Sequence, residues 1–144
     1  MKGETVRAAG CFTNVGDSQV SDNVLRIITT DATSTLIGLE GFAQAPLMPI
    51  STSWFYTAKI VARRTDVEGD TACFEIKGLC FKNATGSVIG VGTPTVIKMF
   101  STSGATTWNV EATYGTSSLN IKGVGEVGKT IRWVENLELL EVSN

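Results

Sequence analysis

The stretch from Gly123 to Thr130, GVGEVGKT, is the part of this chain with the clearest chemical reading. A glycine, four residues and then Gly-Lys-Thr fit the loop that holds phosphate groups in nucleotide-hydrolysing enzymes. There, backbone N–H groups at the start of a helix face the phosphates, the lysine neutralises charge and the threonine binds magnesium. The same residues also describe a glycine-rich turn between two strands, in which Gly125 and Gly128 supply positive φ angles and Lys129 is a solvated charge.

The position of this stretch favours the turn. Only 14 residues follow Thr130, whereas nucleotide-hydrolysing enzymes need further strands downstream, one of them with an acidic residue for the metal. The residues after it, IRWVENLELLEV, fit both helical and strand spacing, and the upstream chain has the alternation of an all-β protein. We therefore expect a strand-to-strand connection at Gly128, between the segments Ser118–Gly123 and Thr130–Val134, and no helix starting at Thr130.

Other acidic residues could in principle form an active site or a metal site. Paired carboxylates hydrolyse glycosides, but each candidate glutamate alternates with apolar neighbours, as residues on the outward face of a sheet do. The acidic run Asp66, Glu68 and Asp70 lacks the spacing of a calcium loop and reads as a solvated turn, and Arg63-Arg64 reads as a partner for nearby carboxylates. The candidate glutamates are Glu75, Glu111, Glu135 and Glu138.

The chain contains no histidine and three cysteines, Cys11, Cys73 and Cys80. The lack of histidine removes Ser-His and Cys-His catalysis and the commonest transition-metal ligand. An odd number of cysteines argues against a disulfide framework, so we expect buried small thiols. The sequence thus predicts no catalytic residue, no metal ligand and no cofactor, and we expect no enzymatic activity.

Composition and charge exclude several classes of partner. The net charge is −2 and there is no basic run, so a surface that follows nucleic-acid phosphates is not expected. No stretch approaches the roughly 20 apolar residues of a membrane span. The beginning of the chain, MKGETVRAAG, has no apolar secretion signal, so we expect neither a membrane partner nor export by the general secretory route.

Alternation of apolar and polar residues predicts an all-β protein. Ser53–Arg64 and Thr71–Lys82 alternate over their whole length and are separated by a short polar turn, which predicts a β-hairpin. With 144 residues, 42% of them hydrophobic, the chain fits one domain with a real core. We predict an N-terminal arm, Met1–Gly10, and a single antiparallel β-sandwich, jelly-roll-like, over residues 11–144. The nine expected strands are Val24–Thr30, Thr35–Leu39, Ser53–Arg64, Thr71–Lys82, Ser87–Val91, Thr95–Phe100, Trp108–Tyr114, Ser118–Gly123 and Thr130–Val142.

Three blocks of sequence resemble a module that recurs in structural proteins of tailed bacteriophages. They are STSWFYTAKIVARRTD (Ser51–Asp66), TTWNVEATYG (Thr106–Gly115) and GKTIRWV (Gly128–Val134). The upstream block GDSQVSDNVLRIITTDATST (Gly16–Thr35) resembles the start of the same module, so the resemblance covers roughly residues 11 to 142. It implies a β-sandwich displayed on a virion, without catalytic residues. Asn109 stands where the module often has an acidic residue, which makes a metal ion at that end less expected.

Within this class we expect a capsid decoration (cement) protein, because the chain has no heptads and no repeating period from which a fibre stalk could be built. Such a protein, expected here as a homotrimer, would bind the major capsid protein or other virion proteins and stabilise the head by burying apolar area. Its contact surface is predicted at an apolar loop that could equally close one end of the sandwich. The loop residues are Pro46, Leu47, Met48, Pro49 and Ile50.

The alternative is a tail-fibre or receptor-binding tip protein that contacts glycans on the host surface. The residues that could meet a glycan are aromatic, but their shared strand parity favours packing in the core. A carbohydrate-active enzyme is a third class. These aromatic residues are Trp54, Tyr56, Trp108 and Tyr114.

Overall fold

The computed structural model describes the backbone of residues 4–8, 10–14, 16–41 and 44–144. Apart from two short 3-10 turns, Leu39–Gly41 and Ser103–Ala105, all regular structure in these ranges is β, which confirms the predicted fold class. The described residues contain no helix that is long and apolar enough to cross a membrane. The strands are β1 Glu4–Ala8, β2 Ser18–Thr29, β3 Thr35–Leu36, β4 Thr52–Arg64, β5 Thr71–Lys82, β6 Ile89–Ser101, β7 Asn109–Tyr114, β8 Leu119–Val124 and β9 Ile131–Ser143.

The strands form two antiparallel sheets of unequal size. The large sheet has the order β1-β2-β9-β4-β5-β6 and the small sheet has the order β3-β8-β7. The sheets are unequal because β4, β5 and β6 all belong to the large sheet, where they follow one another as a meander. A jelly roll, in contrast, distributes eight strands over two Greek keys. The small sheet packs on the inner face of the large one, and the opposite side of the large sheet, called the outer face below, is exposed.

The predicted hairpin is confirmed, with β4 and β5 paired from Thr52↔Lys82 to Arg63↔Thr71. Because side chains alternate between the two faces of a strand, the even-numbered residues of β4 point into the core. The most central side chain is Trp133, whose ring centroid lies 6.0 Å from that of Phe74 and 6.2 Å from that of Trp108. Its Nε1 donates to Thr29 Oγ1 at 2.9 Å. The buried residues of β4 are Trp54, Tyr56, Ala58, Ile60 and Ala62.

A glycine allows the two sheets to approach at this tryptophan. A Cβ at Gly123 would lie 2.8 Å from Trp133 Cδ2, closer than side chains pack. The small sheet therefore rests directly on the indole ring, and the core is dense at this point.

Several segments differ from the predicted strands, although the described residues also contain nine strands. Part of the predicted arm, Glu4–Ala8, is a strand that pairs with β2. Ser87–Val91 and Thr95–Phe100, predicted as two strands, belong to one strand, β6, which keeps its pairing with β5 through two register shifts. Pro94 interrupts the sequence pattern there, but an edge strand tolerates proline because one row of its N–H groups has no partner.

Strand β2 begins at Ser18, earlier than the predicted Val24, because it pairs with β9 along its whole length, from Ser18↔Val142 to Thr29↔Ile131. Its first half lacks an apolar alternation, since the inward residues Ser21 and Asn23 are polar yet buried. Hydrophobic periodicity alone therefore could not reveal this half of the strand.

Candidate functional site

The GVGEVGKT stretch connects β8 to β9, as predicted. Gly128 has φ +77°, Lys129 N donates to Glu126 O at 3.2 Å, and β9 begins at Ile131. Because a strand and not a helix follows, no helix N-terminus is available to hold a phosphate group. The prediction of a strand-to-strand turn is confirmed.

Lys129, predicted to be a solvated charge, is instead held inside a cluster of polar groups. Only 17% of its side chain is exposed, and its Nζ lies 3.0 Å from Glu126 Oε2 and 3.6 Å from Asp70 Oδ2. It also donates to the carbonyl oxygen of Gly104 at 2.6 Å. The β8–β9 turn folds over the 3-10 turn Ser103–Ala105, which brings the ammonium group to these acceptors. The hydrogen bond from Lys129 lowers the pKa of Glu126.

The acidic turn between β4 and β5 belongs to the same cluster. The Arg64 guanidinium lies 2.9 Å from Asp66 Oδ1 and 3.4 Å from Asp70 Oδ2, as predicted. Arg63, predicted to pair in the same way, has no ion pair among the described residues and lies opposite Arg132. Hydrogen bonding to Arg64 lowers the pKa of Asp66. Asp66 and Asp70 are thus paired and not freely solvated, and the described residues contain no group of three or more His, Cys, Asp or Glu side chains that could hold a metal ion.

We expect Lys129→Met to lower the melting temperature by roughly 2–5 °C without changing the fold, because the variant loses three polar contacts, two of which, to Asp70 and Gly104, join separate loops. Lys77→Met is the matched control, since Lys77 is 51% exposed and has a single ion pair, with Glu75. The measurement is thermal unfolding followed by circular dichroism. Equal shifts for the two variants would contradict a specific role of Lys129.

The predicted contact loop lies at the opposite end of the sandwich. Met48 N donates to Ser117 O at 2.7 Å, and Leu47 forms an isolated bridge with Ser118. Pro46 and Met48 are buried, whereas the other three residues of the loop are exposed. The loop therefore closes this end with alternate residues, and its role as a contact surface remains a prediction.

Beside this loop is a polar cavity of about 140 Å³, lined in part by Trp54 and Glu141. The Glu141 carboxylate accepts hydrogen bonds from Trp54 Nε1 and from Gln19 Nε2, the latter at 2.8 Å. Trp54 is buried and its N–H is already engaged. It is therefore a core residue and offers no platform for a glycan.

The other candidate aromatics confirm the same interpretation. Tyr56 and Trp108 are buried, and the hydroxyl of Tyr56 lies 2.7 Å from that of the half-buried Tyr114. Burial raises the pKa of Tyr56. None of the four aromatic residues predicted for glycan contact presents an open ring face.

The four candidate glutamates do not come together. Glu75 and Glu138 lie on the outer face, Glu75 paired with Lys77 at 3.0 Å, and Glu111 lies on the small sheet, where its carboxylate accepts from Ser34 Oγ. Glu135, predicted to face outward, is completely buried. Its parity was visible in the sequence, because the apolar positions of β9, among them Trp133 and Leu137, are odd-numbered as well.

Glu135 is the most unusual ionisable group in the described residues. Its neighbours across the sheet are Leu25 and Ile60, and neither carboxyl oxygen has a hydrogen-bond partner among the described residues. Burial raises its pKa well above the ordinary value of 4.5. The amide of Asn23, on the same face of β2, is likewise buried and unpaired among the described groups. Burial thus favours the neutral form of this carboxyl group.

The three cysteines are free thiols. Cys80 is buried, and burial raises its pKa to about 12, as predicted for an inert core thiol. Cys73 is half-buried on the outer face, and Cys11 is exposed, so the prediction of buried thiols is wrong for Cys11.

The outer face carries two apolar bands that the sequence analysis did not identify. The sequence indicates these bands through apolar residues at odd-numbered positions of β4 and β5, such as Phe55 and Leu79, which face away from the core. The register places Val134, Val61, Cys73 and Phe100 in one band, and Leu140, Phe55, Leu79 and Val91 in the other. Between them lie two polar rows: Asn136, Lys59 and Glu75, and Glu138, Thr57 and Lys77.

The β2–β9 side of the outer face contains a cleft of about 480 Å³, whose lining includes Arg26, Ile28, Arg132 and Val134. Arg26 is opposite Val134 and Arg132 is opposite Ile28, so the two arginines lie diagonally on neighbouring strands. On its other side Arg132 is directly opposite Arg63. No ion pair joins these three arginines to any side chain that the structure describes. The result is a concave site with two arginines in its lining that form no ion pair with the described side chains.

Comparison with known proteins gives structural neighbours only. No protein-family model and no curated protein match the chain. The solved structures that are similar to it include a tailspike protein of Acinetobacter baumannii bacteriophage Fri1, described as a capsular polysaccharide depolymerase, at 9% identity and a TM-score of 0.48. They also include the tailspike protein of Acinetobacter phage vB_ApiP_P1, at 12% identity and a TM-score of 0.43.

These matches cover 96% and 94% of this chain but only 20% and 24% of the two tailspike chains. Both neighbours are bacteriophage tailspike proteins. The prediction of a capsid decoration protein receives no support from them. The prediction that this chain is not an enzyme is contradicted, because one neighbour is described as a depolymerase, and we withdraw it.

Proposed function

We propose that this chain is a module of a bacteriophage tail protein that binds acidic glycans on the host surface. The observation that carries the proposal is the cleft on the outer face with Arg26 and Arg132 in its lining. The sequence resemblance to phage structural proteins supplies the virion setting. In this proposal the glycan binds in the cleft, and the aromatic residues first considered for glycan contact belong to the core.

The charges of the cleft favour an anionic ligand. Like charges directly opposite each other on neighbouring strands repel and are destabilising, and Arg132 and Arg63 form such a pair. A guanidinium group binds a carboxylate through two parallel hydrogen bonds. A ligand carboxylate bound between Arg26 and Arg132 would place a negative charge beside Arg132 and so offset its repulsion with Arg63.

The size and lining of the cleft favour a saccharide. Its volume, about 480 Å³, lies within the range of roughly 300–1,000 Å³ typical of small-ligand sites. The apolar side chains of Ile28 and Val134 suit the C–H groups of a sugar ring, while the two guanidinium groups suit its carboxylate. A sugar unit that carries a carboxylate meets both requirements.

The test is a calorimetric titration of the whole chain with oligosaccharides of glucuronic acid and with neutral glucose oligosaccharides of equal length. We expect the acidic series to bind, with an affinity that falls as salt is added. Arg132→Gln should weaken this binding about tenfold, because it removes a charge-assisted hydrogen bond.

Arg7→Gln is the control, since Arg7 lies on β1, away from the cleft, and its side chain is 73% exposed. Binding of the neutral series with equal affinity, or an Arg132→Gln variant that binds as well as the native chain, would overturn the proposal. Chromatography of the same mixtures would reveal any shortened oligosaccharides and so measure cleavage independently of binding.

A further inference from the structure

We infer that a second copy of this chain docks on the exposed edge of the large sheet, along Thr95–Ser101 of β6, with Phe100 as the central contact. Phe100 is 75% exposed, although it is a large aromatic residue at the end of a well-paired strand. Isolated exposed apolar residues are normal, but Val96, Ile97 and Met99 beside it are also exposed. Ile97, Met99 and Phe100 form an apolar strip on the outer face, which marks an interaction site. Val96, in contrast, is opposite the buried Ile76 and faces the other side of the sheet.

The strip borders two hollows on the outer face. One, of about 410 Å³, is lined in part by Val61, Met99 and Val134. The other, of about 280 Å³, lies between Val61 and Ser101. Phe100 lines both, so a projecting aromatic ring stands next to apolar depressions.

The backbone of β6 is also available for pairing. Among the described strands β6 pairs only with β5, so one row of its N–H and C=O groups has no strand partner. Such an edge pairs readily with another chain unless it is blocked. Pro94 lacks an N–H and blocks the first half of β6, which leaves Thr95–Ser101 as the segment that can pair.

The one charged residue of this segment does not protect it. Edge strands commonly use an exposed lysine to prevent pairing, but Lys98 is turned away from the edge. Its Nζ donates to Thr106 O at 2.6 Å and lies 5.7 Å from the centroid of the Phe74 ring. The edge is thus apolar and unguarded.

These features fit a second copy of the same chain. In a two-fold interface the same surface is used twice, so it must contain both a projection and its receptacle, and here Phe100 lies beside hollows of its own chain. Antiparallel pairing of the two β6 edges, in a register that sets Ile97 of one copy opposite Phe100 of the other on the outer face, satisfies the free backbone groups of both copies. The rim residues Lys59 and Glu75 have opposite charge, so the surface selects neither an acidic nor a basic partner. This pairing produces a dimer, whereas the sequence analysis expects a homotrimer.

The test measures the molar mass of the whole chain by sedimentation equilibrium at roughly 1–100 µM. We expect a monomer–dimer equilibrium, and we expect Phe100→Asp to raise the dissociation constant at least about 100-fold. Phe12→Asp is the control, because Phe12 is equally exposed, at 79%, and lies outside β6. Ile97→Lys, which places a charge on the same strip, should act like Phe100→Asp, and thermal unfolding verifies that each variant is folded.

A native chain that remains monomeric at the highest concentration would overturn the inference. A trimer, or a dimer that Phe12→Asp disrupts as strongly as Phe100→Asp, would also overturn it. The result is separable from the proposed function, because Phe100 does not line the cleft and Arg132 lines neither hollow, although Val134 borders both the cleft and one hollow. Phe100→Asp should leave the glucuronate affinity per chain unchanged.

Discussion

Replacing Glu135 with methionine should raise the free energy of unfolding at pH 7 by about 1–3 kcal/mol. The two side chains are similar in length, so methionine fills the same space between Leu25 and Ile60 without leaving a cavity. It removes a carboxyl group that is fully buried and has no hydrogen-bond partner among the described residues. A buried polar group without a partner has lost its hydration and gained nothing in return.

The effect should depend on pH with a defined sign. The pKa of Glu135 is about 4.5 in the unfolded chain and is raised by burial in the folded chain. Below the unfolded value the carboxyl is neutral in both states, and its ionisation does not affect stability. As the pH rises above 4.5 the unfolded chain loses a proton that the folded chain keeps, so stability falls until the folded pKa is passed. The native chain should therefore lose stability towards neutral pH through Glu135, and the methionine variant should not.

Urea unfolding of both proteins between about pH 4 and pH 8 measures this difference. Glu138→Met is the matched control, since Glu138 is an exposed residue on the same strand. It should change stability little at any pH in this range. A Glu135→Met variant that is less stable than the native chain would contradict the prediction, because it would mean that the carboxyl has a favourable polar partner.

Trp133→Ala should lower the free energy of unfolding by about 3–5 kcal/mol, the largest loss expected from any single substitution discussed. The change empties the space between the rings of Phe74 and Trp108 and leaves the hydroxyl of Thr29 without its donor. The cavity borders the backbone of the small sheet at Gly123, which has no side chain that could fill it. Urea unfolding followed by far-ultraviolet circular dichroism measures the loss.

Trp133→Phe separates the two contributions. It keeps an aromatic ring in the stack and loses only the N–H and part of the volume, so we expect a loss about half as large. Equal losses for the two variants would show that the hydrogen bond to Thr29 dominates. A loss below about 1 kcal/mol for Trp133→Ala would contradict the central position of this residue.

The sequence was sufficient to predict the fold class, the β4–β5 hairpin and the turn at Gly128. These features depend on local signals: a strict alternation that buries Trp54, Tyr56 and Ile60, and a glycine at a positive φ angle. The shared parity of Trp108 and Tyr114 likewise predicted core packing over glycan contact. Local signals are reliable where one face of a strand is consistently apolar.

The errors occur where this consistency is absent. Glu135 and Asn23 are polar residues at inward positions, so the first is predicted to face outward, and the predicted strand Val24–Thr30 lacks the first half of β2, which holds the second. Lys129 was taken for a solvated charge because its acceptors, Asp70 and the carbonyl of Gly104, come from distant parts of the sequence. Long-range polar contacts have no periodic signature.

The candidate site lay beyond sequence reasoning for a similar reason. Arg26 and Arg132 become neighbours only because β9 inserts beside β2, and Arg63 joins them only because β4 flanks β9 on its other side. No spacing in the sequence relates the three. The apolar bands of the outer face were visible in principle, since both parities of β4 and β5 carry apolar residues.

The position of β9 has a consequence for the order of folding. This strand is the last of the nine strands that the structure describes, yet it lies between β2 and β4 in the large sheet. Until it is synthesised, the β1–β2 pair and the β4–β5–β6 meander have no hydrogen-bonded connection, and Trp133 is missing from the core. Contacts between residues so far apart in sequence are slow to form. The sandwich should therefore fold after its last strand has left the ribosome, and until then the edges of β2 and β4 are open to pairing with other chains.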